Sequence, residues 1–122
     1  MPADSQVPVS IRIRVHHKGC FAFGPGKAAL LEAIDACHSI SAAGRSLGLS
    51  YTKTRRLLDE LRGSFQDPLI ESIKGGVHGG GTQVTDAGHR ILVAFRAMEG
   101  RAMEALQTDL RTILAALEAP ED

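Results

Sequence analysis

The chain has 122 residues and a mass of 13.0 kDa, the size of one ordinary domain and too small for a barrel enzyme. Hydrophobic residues make up 43% and charged residues 23%, so a packed core is expected and general disorder is excluded. Aromatic residues are only 4%, so alanine and leucine must fill the core, which favours helices.

The net charge is zero, but the charges are unevenly divided along the chain. Residues 1–63 contain nine Lys/Arg and five Asp/Glu, a net charge of +4. Residues 64–122 contain five Lys/Arg and nine Asp/Glu, a net charge of −4. This asymmetry indicates a polyanionic partner that contacts one face of the molecule.

The N-terminal part predicts a strand followed by a helix. Residues 1–8 form a loose terminus, and residues 9–15 alternate apolar and polar side chains, which is typical of a half-buried strand. The inward residues of this strand are Val9, Ile11, Ile13 and Val15. Pro25 marks the start of a helix that runs to about residue 38. Its apolar face consists of Leu30, Leu31, Ile34 and a buried Cys37.

Two helices separated by a tight turn follow. Ser39 and Ser41 are capping residues for a short helix over 41–47, and Gly48 permits a left-handed stop. We expect this short helix to bury Ile40, Ala43 and Leu47, with Leu49 packing beneath the turn. Ser50 caps the next helix, about 51–63. Its apolar positions are Thr54, Leu57, Leu58, Leu61 and then Phe65.

The C-terminal half predicts a hairpin and one long helix. Residues 69–74 and 82–84 are strand-like, and the glycine-rich segment 75–81 forms the hairpin tip. Thr85 caps a helix over about 86–118, which Gly88 and Gly100 weaken locally. Its apolar residues recur at helical spacing and are expected to form a dimer interface: Ile91, Phe95, Met98, Ala102, Leu106, Leu110, Ile113 and Leu117.

This order of elements predicts a mainly α fold with a small β component, namely a winged helix-turn-helix over 9–85 plus a dimerisation helix and acidic tail over 86–122. The second helix of the pair would enter the major groove of DNA, and its outer face offers hydrogen-bond donors there. The predicted DNA-binding residues lie on the two helices and the hairpin: Ser41, Arg45, Ser50, Tyr51, Thr52, Lys53, Arg55, Arg56, Lys74, His78 and Gln83. A solvated charged face on an ordinary helical bundle is the alternative.

Several sequence segments resemble the N-terminal winged-helix domain of bacterial molybdate-responsive regulators of the ModE family, which is related to the LysR-type winged helix. The segments are Ser39-Ile40-Ser41-Ala42-Ala43, Gly48-Leu49-Ser50-Tyr51, Asp59-Glu60-Leu61, Leu69-Ile70-Glu71, the glycines of 75–81 and Val84-Thr85. The resemblance covers about residues 9–118. It implies a homodimer that binds double-stranded DNA through the helix after Ser50 and through the wing, and that dimerises through its first and last helices.

The resemblance also implies a C-terminal molybdate-binding half. The chain ends at Asp122, where that half would begin, so molybdate binding is not expected. In the wing, Ser72 and Val77 stand where the family usually has Arg and often Lys, and Lys74 and His78 stand close by. Arg55 and Arg56 also differ from the family's best-known member, so the target sequence does not transfer.

A second function class stays open. An interaction module would keep the fold and the dimer helix, lack affinity for DNA, and pair with another regulator; the altered wing and zero net charge favour it. No catalytic set of residues is apparent, and the cysteines and histidines match no zinc spacing, so neither an enzyme nor a cofactor or metal site is expected. Two free cysteines without a signal peptide or membrane-spanning segment indicate the cytoplasm.

Overall fold

The computed structural model describes residues 8–74 and 80–117. The described part is mainly helical with two small antiparallel sheets, which confirms the expected balance of helix and strand. None of its helices is long and apolar enough to cross a membrane. The predicted loose terminus and the acidic tail lie almost entirely outside the described residues.

The chain begins with a hairpin rather than with the predicted single strand. Strands β1 (Val15–His17) and β2 (Cys20–Phe23) are joined by Lys18 and Gly19, both with positive φ, as the two-residue turns of hairpins require. The turn pairs His17 with Cys20, and β2 is too short to pair beyond Val15. Residues 9–14 therefore lie outside any strand. The inward assignment fails for Ile11 and Val15, which are exposed, whereas Val9 and Ile13 are half-buried.

Helix α1 (Pro25–Cys37) occupies the centre of the molecule and starts at the proline, as predicted. Leu30, Leu31 and Ile34 are completely buried. Cys37 is exposed, contrary to prediction, because it lies in the last helical turn, beyond the last core contact of α1.

Helices α2 (Ile40–Ser46) and α3 (Tyr51–Ser64) form the predicted pair around a turn at Gly48, which has a φ of 71°. The Ser39 hydroxyl accepts a hydrogen bond from the Ala42 amide, and the Ser50 hydroxyl accepts one from the Lys53 amide. The helices approach closely because α2 has a glycine at the contact: a Cβ added to Gly44 would lie 2.5 Å from the Thr54 hydroxyl oxygen.

The buried face of α3 matches the prediction, whereas that of α2 matches it only in part. Leu57, Leu58 and Leu61 of α3 are buried. In contrast, Leu47 follows the last residue of α2 and is 39% exposed. Leu49 packs against the core from the turn, as predicted.

The second hairpin pairs β3 (Ile70–Ile73) with β4 (Gly81–Val84), from Ile70 opposite Val84 to Ile73 opposite Gly81. Residues 75–79 of its predicted tip lie outside the described residues. The Thr82 amide donates a 3.0 Å hydrogen bond to the His38 carbonyl, so β4 is held at the C-terminal end of α1.

The predicted long helix is two helices, α4 (Asp86–Ala105) and α5 (Gln107–Ala116). The Thr85 hydroxyl caps α4 by accepting a hydrogen bond from the Gly88 amide. The interruption is at Leu106, and not at either glycine that was expected to weaken the helix. There the Gln107 side-chain amide donates to the Met103 carbonyl, which satisfies a main-chain acceptor near the break.

The core lies where α1, α3 and α4 meet both hairpins. Phe23 of β2 packs edge-on against Phe95 of α4, with ring centroids 5.1 Å apart. Leu92 is buried beside Phe95, although the predicted apolar stripe omitted it. Because Phe95 is only 2% exposed, it belongs to the core of the chain itself and not to an exposed dimer stripe.

Candidate nucleic-acid interface

The N-terminal half of α3 presents polar side chains to solvent while its opposite face is buried. Tyr51 is 72% exposed, and Thr52, Lys53 and Arg56 are also exposed. Arg55 is only half-buried, because it lies next to the buried Leu58 around the helix and not opposite to it. Of the two arginines predicted to bind DNA, Arg55 is therefore less exposed than Arg56.

The turn of the helix pair brings α2 residues beside this face. Ser41 and Arg45 of α2 are exposed and border one shallow depression together with Tyr51. Tyr51 also borders a second depression with Thr52, Arg55 and Arg56, and the carboxylates of Asp59 and Glu60 line the same depression. The predicted residues of the two helices thus form one continuous surface, which we call the α3 face: Ser41, Arg45, Tyr51, Thr52, Lys53, Arg55 and Arg56.

Ser50 has a local structural role. Its hydroxyl oxygen accepts the Lys53 amide hydrogen bond at 3.0 Å, and its carbonyl accepts one from the Thr54 hydroxyl at 2.8 Å. These bonds fix the start of α3 and so orient the side chains of its first turn.

The three predicted hairpin residues have different surroundings. Lys74 is exposed, and His78 lies outside the described residues. Gln83 donates a 2.8 Å hydrogen bond to the Glu71 carboxylate and borders a depression with Asp67 and Asp86. These carboxylates repel phosphate, so the surroundings of Gln83 disfavour the predicted DNA contact.

An ion pair between a buried lysine and a partly exposed glutamate, not predicted from the sequence, connects α1 to α3. Lys27 of α1 is completely buried, and its ammonium lies 3.1 Å from the Glu60 carboxylate of α3. The same ammonium donates to the Phe21 carbonyl at 2.9 Å and lies 4.3 Å from the centre of the Phe21 ring. The sequence gives no signal for this role, since lysine is rarely buried.

The apolar residues predicted for dimerisation become more exposed towards the C-terminus. Ile91, Ala102, Leu106 and Leu110 are half-buried, and Met98 is 39% exposed. Ile113 and Leu117 are 60% and 61% exposed. Val93, outside the predicted stripe, is 71% exposed. Helix α5 has no buried residue, so its apolar side chains have little contact with the rest of the chain.

An ion pair and a histidine–carboxylate contact hold α4 against α1. Arg96 donates to the Glu32 carboxylate at 2.7 Å, and His89 lies 3.0 Å from the Asp35 carboxylate. The hydrogen bonds from Arg96 are the largest influence on Glu32 and hold the pKa of that carboxyl below its usual 4.5, against a smaller opposing effect of burial. The described residues contain no group of three or more His, Cys, Asp and Glu side chains placed to hold a metal ion.

The chain is similar in sequence to several molybdenum-related proteins. No family model matches it. The chain is 32% identical over 102 residues to the molybdenum-pterin-binding protein MopA of Rhodobacter capsulatus, covering 84% of this chain and 38% of that protein. It is 40% identical over 77 residues to the molybdenum transport protein ModE of Azotobacter vinelandii, covering 63% and 28%. The transcriptional regulator ModE of Haemophilus influenzae is 32% identical over 75 residues, covering 62% and 29%.

The chain is thus similar to ModE and Mop proteins, of which the Haemophilus influenzae protein is named a transcriptional regulator. Their names describe binding, transport and regulation, and not an enzymatic activity. The chain spans between 28% and 38% of the length of these three relatives.

One expectation is corrected by the comparisons. From the sequence alone, molybdate binding is not expected. Relatives that match most of this chain are named for molybdenum-pterin binding or molybdenum transport, which contradicts that expectation.

Proposed function

We propose that the chain is a winged helix-turn-helix component of a molybdenum-linked transcriptional regulator of the ModE type, and that it binds double-stranded DNA as a homodimer. The single observation that carries this proposal is the α3 face. It combines an exposed Tyr51, Lys53 and Arg56 with a helix whose opposite side is locked into the core by Leu57, Leu58 and Leu61. A helix held in this way fits the major groove, which is about 12 Å wide.

The β3–β4 hairpin is the proposed wing, and it contributes Lys74 beside the glycine-rich tip. Gln83 is left out of the proposed interface because it is bonded to Glu71 among carboxylates. In the homodimer the two α3 helices would meet a near-palindromic site, with half-sites about 34 Å apart or a multiple of that distance.

The test is a mobility-shift titration with a duplex that the native chain selects from a random library, together with an unselected duplex. Arg56→Ala is expected to cost about 1–3 kcal/mol of specific binding and to relax the preference at one position of each half-site. Lys53→Ala is expected to weaken both duplexes about equally and to lower the salt slope by about one unit.

Arg62→Ala is the matched control, because Arg62 lies on the same helix but in its last turn and faces Asp59 at 3.9 Å. It is expected to bind both duplexes like the native chain. If Arg56→Ala and Lys53→Ala also bind like the native chain, α3 is not the DNA-binding helix. If the native chain shifts no duplex, the interaction module becomes the better interpretation.

Adding molybdate to the same titration tests the link to molybdenum that the relatives' names indicate. The measured quantities are the affinity for the selected duplex and the thermal midpoint of the chain alone. A saturating ligand at 100 times its dissociation constant stabilises a protein by about 2.7 kcal/mol, so direct binding would be visible in the thermal midpoint.

A further inference from the structure

A basic groove lies beside the α3 face, between the segment preceding β1 and helix α3. Four cationic side chains border it, Arg12 and Arg14 from the N-terminal segment and Lys53 and Arg56 from α3. Arg56 and Glu60 border both this groove and the depression on the α3 face. The groove is therefore a direct extension of the α3 face.

Specific contacts hold the N-terminal wall of the groove in place. The guanidinium carbon of Arg14 lies 5.2 Å from the centre of the Phe21 ring, and Lys27 lies against the same ring at 4.3 Å. A Cβ added to Gly24 would lie 2.7 Å from that ring and 3.4 Å from the Ile13 carbonyl. The absence of a side chain at Gly24 thus lets Phe21 and the N-terminal segment pack close to the start of α1.

The groove carries an excess of positive charge, which favours the binding of an anion. The single carboxylate that borders it, Glu60, is paired with the buried Lys27 at 3.1 Å. Within residues 8–74 and 80–117, neither Arg12, Arg14, Lys53 nor Arg56 forms an ion pair or a side-chain hydrogen bond. Four cations close together without carboxylate partners repel one another, and a bound anion would remove that repulsion.

We propose that this groove binds a backbone phosphate of the DNA next to the segment contacted by the α3 face. This inference rests on the proposed function. The N-terminal segment then acts as a second, sequence-independent contact, which adds affinity and fixes the register of α3 without distinguishing bases. Arginine suits the role because its planar guanidinium matches phosphate oxygens, and the Arg14–Phe21 contact orients one of the two.

The experiment compares the native chain with Arg12→Ala/Arg14→Ala on the selected and the unselected duplex across a range of salt concentrations. The double variant is expected to bind both duplexes about threefold to tenfold more weakly and to lower the slope of log affinity against log salt by about one unit, with base preference unchanged. Arg12→Lys/Arg14→Lys keeps both charges and is expected to restore most of the affinity and the slope.

Arg101→Ala/Arg111→Ala is the control for general loss of positive charge, because these exposed residues lie on α4 and α5, which do not border the groove. It is expected to bind like the native chain. Arg12→Ala alone keeps the test decisive if the double variant is unstable, because the Arg14–Phe21 contact remains, and it is expected to show a smaller loss of the same kind on both duplexes.

Three outcomes would overturn the inference. If the arginine-to-alanine variants keep the native affinity and salt slope, the groove does not touch DNA, although the proposed function stands. If the native chain binds neither duplex, the proposed function fails and the phosphate site fails with it. If inorganic phosphate or molybdate without DNA raises the thermal midpoint of the native chain but not of Arg12→Ala/Arg14→Ala, the occupant is a free oxyanion.

Discussion

At the scale of single residues, the most constrained charge in the described part of the chain is Lys27. Its ammonium is taken wholly out of water and is compensated by the Glu60 carboxylate and by the Phe21 carbonyl. Because its partners belong to β2 and α3, this one side chain ties the first hairpin to the proposed DNA-binding helix. Phe21 and Glu60 both border the basic groove, so Lys27 contacts two of the residues that line it.

Replacing Lys27 by methionine keeps most of the side-chain volume but leaves the Phe21 carbonyl without its donor. We expect the free energy of unfolding to fall by about 1–3 kcal/mol, since a buried acceptor without a partner pays its desolvation cost. Lys53→Met, at an exposed position of α3, should change it by no more than about 0.5 kcal/mol. Urea denaturation measures the free energy of unfolding of both variants. Equal losses in the two variants would contradict a structural role for Lys27.

At the scale of elements, close packing around Gly88 determines how α4 contacts the second hairpin and the residue before it. Gly88 lies in the first turn of α4, where an added Cβ would overlap the Leu69 carbonyl oxygen and the Val84 side chain. The Thr85 amide donates to the same Leu69 carbonyl at 3.0 Å, so that oxygen cannot move away without loss of a hydrogen bond. Gly100 lies in the same helix with open space around its Cα.

The two glycines of α4 therefore predict opposite responses to alanine. Gly88→Ala should lower the thermal midpoint, because the new methyl group meets fixed backbone. Gly100→Ala should raise the free energy of unfolding by about 0.5–1 kcal/mol, since alanine loses less backbone entropy in a helix. Thermal unfolding followed by circular dichroism compares them, and a Gly88→Ala protein as stable as the native chain would disprove the close packing.

The Arg96–Glu32 pair between α4 and α1 predicts a pH dependence. Arg96 lowers the pKa of Glu32, so the pair stabilises the fold above the usual pKa of 4.5, and this contribution is lost as the pH falls through the lower pKa of the folded state. Both side chains are nearly half exposed, so solvent limits the effect to about 0.5 kcal/mol.

Glu32→Gln should accordingly be slightly less stable than the native chain at neutral pH, and the difference should shrink well below pH 4.5, where Glu32 becomes protonated. Urea denaturation at several pH values measures it. Glu104→Gln, an exposed position on α4, is the control. A difference for Glu32→Gln that grows on acidification would contradict this assignment.

At the scale of the whole molecule, α5 is a helix that packs no side chain into the core of the chain. It buries no residue, and its Ile113 and Leu114 are exposed, as is Leu117 directly after it. A ten-residue helix is marginal in water unless an apolar face is covered, so the exposed face predicts a partner. We propose that the partner is a second copy of the chain, as the resemblance to ModE regulators implies.

Ile113→Glu/Leu117→Glu should therefore produce a folded monomer, because both side chains lie outside the monomer core and charge at a buried dimer contact is costly. Thr112→Glu places one such charge at another exposed position of α5 and should leave the dimer intact. Multi-angle light scattering measures the mass. A native chain that is already monomeric at micromolar concentration would refute the dimer.

Local chemistry alone was sufficient to predict the first three helices, the start of the fourth and the strands of the second hairpin. Ser39, Ser50 and Thr85 cap where the sequence places caps, and Gly48 adopts the left-handed conformation expected of it. Such signals are recognisable in sequence because each cap or turn is satisfied by residues no more than four positions away. The polar outer face of α3 follows from the same helical periodicity, as does the general position of the proposed interface.

Only the tertiary structure decided which chemically similar residues have which role. Lys27 is buried while Lys53 is exposed, Phe95 belongs to the core while Ile113 does not, and Arg12 and Arg14 border a groove instead of alternating along a strand. In each case the deciding neighbour is distant in sequence: Glu60 for Lys27, Phe23 for Phe95, and Lys53 and Arg56 for the two arginines. Periodicity predicts which face of an element is apolar, but burial and charge compensation depend on the elements that pack against that face.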